Sequence, residues 1–171
     1  MFSLDDLMPS RIDTRLGELQ IELPRASKPG ANYVPFVRVD SLLFLTGQLS
    51  QWNGERRFIG KLGAEFTVEQ GQAAARLCAL NLIAHAREAL GGDLDHVRRV
   101  VRIAGYVNSA PTFDGQSQVV NGASDLFVEV FGEPGRHTRM AVGVAALPYG
   151  VAVEVEAVLE LREDFGGAGA A

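Results

Sequence analysis

Apolar residues alternate with polar or very small ones through two runs near the end of the chain, His137 to Ala145 and Val151 to Leu159, joined by Leu147-Pro148-Tyr149-Gly150. Period-two alternation predicts two strands, and the short turn-rich junction predicts that they pair as a β-hairpin. In that arrangement Met140, Val142 and Val144 share one face of the first strand, and Val151, Val153, Val155, Ala157 and Leu159 share one face of the second. These two sets are the expected core faces. The opposite face then carries Arg139, Ala141, Gly143 and Ala145 beside Ala152, Glu154 and Glu156, one cation and two carboxylates above a floor of small side chains. A charge within a strand is costly unless it is paired or meets a ligand, and small neighbours leave room for a ligand. The pattern fits both an ion pair on a solvated sheet face and a binding site.

The same test lays out the rest of the chain. Tyr33 to Val39 reads as a strand, Asp40-Ser41 as a tight turn, and Leu42 to Thr46 as a near-continuous apolar strand of the kind buried on both faces, ended by Gly47-Gln48. Gln51 to Gly63, with Asn53-Gly54, reads as a short loop or partial hairpin. Thr67-Val68-Glu69-Gln70 matches a capping box and opens a helix through Leu90 that Gly91-Gly92 ends. The apolar positions of this helix cover more than one stripe, which predicts burial against a sheet and a second surface. Asn81 among them needs hydrogen-bond partners, whereas Arg76 and His85 read as polar helix-face residues. Val97 to Val107 is a further strand, with Val101, Ile103 and Val107 on one face and Arg102, Ala104 and Tyr106 on the other. A second helix runs from Pro111 or Phe113 through Phe131, and Asn121 within it is either a structural hydrogen bonder or a ligand contact. Ahead of all this, residues 1–24 form an extension with a short helix around Arg11 to Leu19 that packs at an edge. Residues 25–162 form a single domain, and 163–171 are a flexible Gly/Ala tail. The order strand, strand, helix, strand, helix, strand, strand predicts an α+β fold with two helices on one face of a mixed sheet. The other face needs a cover, and self-association supplies one.

Composition narrows the chemistry. At 171 residues, 47% hydrophobic and 22% charged, the chain suits one soluble domain, and no apolar run approaches the length of a membrane span. A cytoplasmic location is the expectation, given an N-terminus without signal-peptide character. Cys78 is the single cysteine and reads as a small buried hydrophobe, which leaves no internal disulfide. His85, His96 and His137 are not at metal-ligand spacing, so no metal and no cofactor is expected. A formal net charge of −5 with scattered cations argues against a nucleic-acid partner.

Taken together, Tyr33, Thr46-Gly47-Gln48, Asn121, Arg139, Leu147-Pro148 and Val153-Glu154-Val155-Glu156-Ala157 give residues 30–162 a resemblance to the RidA/YjgF superfamily, the reactive intermediate deaminases also known as L-PSP endoribonucleases. The resemblance implies a chorismate-mutase-like fold, a homotrimer with clefts between subunits, and hydrolysis of 2-enamine and 2-imino acids such as 2-aminoacrylate to 2-oxo acids and ammonia. It implies that Arg139 grips the substrate carboxylate, that Glu154 activates water, and that Tyr33, Thr46, Gly47, Asn121 and Ala141 shape the cleft. Glu156 shares the face of Glu154 and competes with it for that role. Ala141 stands where the family commonly has a cysteine, Thr46 stands for a serine, and the segment 1–24 is added, which together mark a divergent subgroup. His137 is either a cleft residue or part of the turn into its strand. A non-catalytic trimeric carboxylate sensor is the alternative function, and the endoribonuclease activity of the older family name fits the acidic balance least.

Overall fold

The structure is a computed structural model that describes residues 10–163. The expected tail therefore lies, apart from Glu163, outside the described residues, as do residues 1–9 of the extension. The first helix, α1 (Arg11–Glu18), is capped by Ser10, whose hydroxyl accepts from the Asp13 amide, and it buries Ile12 and Leu16 one turn apart. Asp95 completes its N-terminus by accepting from the Arg11 and Ile12 amides at 2.7 and 2.9 Å.

Strands β1 (Phe36–Val39) and β2 (Leu42–Leu49) are joined by the two-residue turn Asp40-Ser41, with Asp40 at φ 51°. A small separate hairpin, β3 (Gln51–Trp52) with β4 (Glu55–Arg56), turns on Asn53-Gly54, both at positive φ as the Asn-Gly signal demands. Helix α2 (Val68–Ala89) opens on the Thr67/Gln70 capping box and stops before Gly91 and Gly92, at φ 67° and 104°. Strand β5 (Val97–Asn108) leads to helix α3 (Gln116–Phe131), then to β6 (Thr138–Val144) and β7 (Val153–Leu161).

The five long strands form one mixed sheet in the order β1-β2-β7-β5-β6. The expected β6–β7 hairpin is absent. Strand β6 pairs parallel to β5, and β7 lies on the other side of β5, antiparallel to both β5 and β2. The reason is non-local: α3 forms the crossover between β5 and β6, which places them side by side in parallel, and β7 then fills the centre of the sheet.

This topology also inverts the expected orientation of β6. Arg139 pairs with Ile103, which pairs with Ala157, and all three lie on the face toward the helices. Met140 and Val142, expected in the core, are instead 46% and 36% exposed on the open face. On β7 the expected core set is right, with Val151, Val153, Val155, Ala157 and Leu159 all buried. Irregularities in β5 near Arg99 and Arg102 put Val100 in the core and leave Val101 half-buried, which corrects the simple alternation.

The core lies between the sheet and α2 and α3, built around Leu82, Ile83, Ile103, Leu126, Phe127 and Leu159. Asn81 is satisfied there, donating to the Gln51 and Leu77 carbonyls at 2.7 and 2.8 Å. Helices α2 and α3 touch at Gly122, where an added Cβ would collide with the Gln72 carbonyl. Close helix contact thus accounts for the second buried surface of α2. Cys78 is fully buried, and that burial pushes its thiol pKa well up, as suits an inert core residue.

Candidate active site

Two clusters of functional side chains lie on opposite faces of the sheet. The first is built on β6 and α3. Ser117, Asn121 and Ser124 fall on one face of α3 by their spacing, and all three meet Arg139 across the sheet edge. Nη1 of Arg139 donates to Asn121 Oδ1 at 2.7 Å and Ser124 Oγ at 3.2 Å, and Nη2 donates to Ser117 Oγ at 2.8 Å. These acceptors are neutral, so they orient the guanidinium without cancelling its charge, and they occupy part of its five-donor fork. Ala141, two residues along the same face, is half-buried and opposite Gly105.

His137 extends this cluster. Its Nδ1 faces the Gly135 carbonyl at 2.6 Å, which requires Nδ1–H, and its Nε2 then accepts from Ser124 Oγ at 3.0 Å. Burial lowers the His137 pKa, the Gly135 hydrogen bond opposes that shift, and the nearby Arg139 charge adds to it. The ring therefore favours the neutral form that this chain of bonds needs. Ser124, Val128, Arg136, His137 and Arg139 line a cavity of about 230 Å³.

The second cluster centres on a β-bulge in β2. Leu45 pairs with Ala157 and Gln48 with Val155, so Thr46 and Gly47 together span one position of β7. Glu154 reaches back to this bulge, and a Cβ on Gly47 would collide with its Oε1. Only glycine lets the carboxylate lie that close to the backbone. Thr46 fixes the approach of the preceding segment, its hydroxyl donating to the Val34 carbonyl at 2.7 Å and its amide to the Pro35 carbonyl at 2.9 Å. Tyr33 stands at the start of that segment, half exposed, its phenol oxygen accepting from the Gly30 amide at 3.4 Å.

Glu154 and Glu156 share the open face with Tyr106, whose hydroxyl donates to Glu156 Oε1 at 3.3 Å. Glu154 accepts no hydrogen bond and meets no cation among the described residues. Burial raises its pKa, and the negative charge of Glu156 raises it further. The expected grouping of Arg139 with both glutamates on one face is thus corrected: Arg139 meets neither of them within the chain. Asn121 and Ala141 belong to the arginine cluster, whereas Tyr33, Thr46 and Gly47 belong to the glutamate cluster.

Sequence reasoning did not single out Ser117 and Ser124, although their spacing from Asn121 on a predicted helix was a usable signal. It placed His85 on a polar helix face, but His85 is 1% exposed and packs beside a surface pocket. Arg76 was read correctly as a helix-face residue and pairs with Glu129 of α3 at 2.8 Å. Among the described residues no group of His, Cys, Asp or Glu could hold a metal ion, and no helix is long and apolar enough to cross a membrane.

Comparison with known proteins places these observations in a family. Residues 13–161 match the family described as YjgF/chorismate mutase-like endoribonuclease. The chain is 51% identical over 153 residues to Protein TCP17 of Trypanosoma cruzi, covering 89% of this chain and 95% of that protein. The crystal structure of Atu1372 from Agrobacterium tumefaciens, a protein of unknown function, is 46% identical with a TM-score of 0.83 over 88% of this chain and 92% of that one. RidA from the Antarctic bacterium Psychrobacter sp. PAMC 21119 is 29% identical with a TM-score of 0.55 over 80% of this chain and 94% of its own. The chain belongs to the YjgF/chorismate mutase-like family, within the RidA/YjgF superfamily.

Proposed function

We propose that the protein hydrolyses 2-enamine and 2-imino acids to 2-oxo acids and ammonia, at a site completed between subunits of a homotrimer. The observation that carries this reading is the pairing of an oriented, uncancelled guanidinium with a half-buried glutamate that has no partner, the two held on opposite faces of one sheet. Neither group meets an opposite charge among the described residues, and a second copy packed on the open face is the simplest way to bring Arg139 of one subunit to Glu154 of another. The open face suits such packing, since Val37, Val39, Phe44, Met140 and Val142 are exposed on it.

In this reading the Arg139 fork binds the substrate carboxylate and sets the C2 carbon near Glu154. Glu154 takes a proton from water as the oxygen adds to the protonated C=N carbon. Glu154 returns that proton to the nitrogen of the resulting carbinolamine, the C–N bond breaks as the carbinol O–H gives its proton back to Glu154 and C=O forms, and ammonia carries that proton away with release of the 2-oxo acid. A raised pKa helps Glu154, because a carboxylate of ordinary basicity is a weak acceptor from water. Gly47 keeps backbone polar groups within reach of the reacting atoms, and Thr46 and Tyr33 hold the rim.

The test is hydrolysis of 2-iminobutyrate and 2-aminoacrylate, generated in place by a dehydratase and trapped with semicarbazide, by wild type and Arg139→Ala. Acceleration by wild type that the variant loses supports the reading. Binding of 2-oxo acids without acceleration would instead identify a carboxylate sensor.

A further inference from the structure

Beside the Gly47 bulge lies a second pocket of about 140 Å³, formed by residues 27–30 and 33, the ends of β2 and β3, β4, and Tyr149. Its inner wall holds a polar cluster of buried His85 with half-buried Ser27 and Gln51 that the reaction above does not use. Ser27 Oγ lies 3.3 Å from His85 Nε2 and accepts from Gln51 Nε2 at 3.2 Å, while His85 Nδ1 is buried without a partner.

The unpartnered nitrogen decides the direction of these bonds. A buried N–H left unbonded is rarer and costlier than a bare lone pair. The proton therefore belongs on Nε2, where it is donated to Ser27. Burial also lowers the His85 pKa and keeps the ring neutral, opposed by the charge of Glu88. Ser27 Oγ then accepts from both His85 and Gln51, which fills its two lone pairs. Its own O–H is left as a donor with no acceptor among the described residues.

The outer wall adds two cations, Lys28 and Arg56, neither of which meets a carboxylate among the described residues. Arg56 lies over the Tyr149 ring, its Cζ 3.4 Å from the ring centroid, a cation–π contact that holds the guanidinium in the pocket wall. No acidic residue lines the pocket.

We infer that this pocket is a side-chain subsite that selects 2-imino acids bearing a second anionic group, with the Ser27 hydroxyl and the Arg56 guanidinium as its donors. The inference rests on the deaminase reading, because the pocket shares Tyr33 and Gly47 with the proposed catalytic cleft. Dicarboxylic 2-imino acids fit the arrangement: Arg139 takes the carboxylate next to the imine, and Ser27 and Arg56 take the distal one.

The experiment compares 2-iminobutyrate with 2-iminoglutarate, each produced in place by an amino-acid oxidase, for wild type, Ser27→Ala and Arg56→Ala. Calorimetric binding of 2-oxoglutarate and 2-oxobutyrate is measured alongside. The expected result is a higher kcat/KM for the dicarboxylic substrate in wild type, with that preference falling about ten-fold in each variant, mainly through KM. Equal or better use of 2-iminobutyrate by wild type, or a preference unchanged in both variants, overturns the subsite and leaves the deaminase reading intact. Binding of 2-oxoglutarate that depends on Ser27 and Arg56 without hydrolysis of either imine keeps the subsite and removes the hydrolytic reading. Neither hydrolysis nor binding removes both.

Discussion

Arg139 and Glu154 stand on opposite faces of the same sheet: Arg139 is in register with Ile103 on the helix side, and Glu154 is in register with Tyr106 on the open side. Two groups so placed in a twisted sheet cannot close on one small substrate within a chain. In the proposed reaction, what each does for the other passes through a second copy.

The arginine cluster gives the first prediction. Arg139→Lys keeps the charge but loses the planar fork that Asn121, Ser117 and Ser124 orient. It is expected to weaken 2-oxo acid binding by about 10- to 100-fold, the worth of one or two charge-assisted hydrogen bonds. Isothermal calorimetry with 2-oxobutyrate checks this, and affinity equal to wild type would show that the fork is not used.

Gly47→Ala separates rate from stability. The added methyl meets the end of the Glu154 side chain, which can swing away cheaply, so the loss in stability is expected to stay near or below about 1 kcal/mol. The displaced carboxylate no longer faces the bulge, and turnover should fall at least about ten-fold. Thermal melts and imine hydrolysis on the same preparation measure the two effects.

Gly122→Ala has the reverse signature. Its Cβ meets the Gln72 backbone carbonyl, which cannot move without shifting α2, and a cost of about 1–3 kcal/mol follows from overpacking. Urea unfolding should show a lower midpoint with an unchanged slope.

The raised pKa of Glu154 fixes the sign of two pH effects. In the proposed reaction Glu154 acts as the carboxylate, so kcat/KM should fall on acidification through a pKa above the ordinary glutamate value of about 4.3. Stability runs the other way, because burial penalises the charged form: the stability tied to this group is present at low pH and lost as pH rises through the raised pKa. Glu154→Gln should therefore melt higher than wild type at neutral pH, by a margin that shrinks on acidification. Calorimetric melts across this pH range measure it.

Much of the fold was legible in the sequence, because local signals decide it. The Thr67/Gln70 capping box, the Asn53-Gly54 turn and the Gly91-Gly92 stop all act within a few residues. The β6–β7 arrangement was not legible, because β5 comes between them and strand order is set by a crossover helix rather than by the turn. The face of β6 was misread for a different reason. Alternation assigns the apolar set to the core, but Met140 and Val142 lie on an open apolar face, while the inward set holds Arg139 for α3 to grip. Arg139, Glu154 and Gly47 emerged as candidates from strand alternation, a strand-end glycine and family resemblance. Their division into two clusters required the register.

Subunit mixing tests the composite site most directly. Arg139→Ala and Glu154→Gln, each expected to be inactive alone, are co-expressed with different tags and the hybrids purified on both. If Arg139 of one subunit serves Glu154 of another in a trimer, the purified hybrids regain hydrolysis, with about a third of their sites active because each hybrid ring restores one site of its three. Hybrids that form and remain inactive would contradict the account.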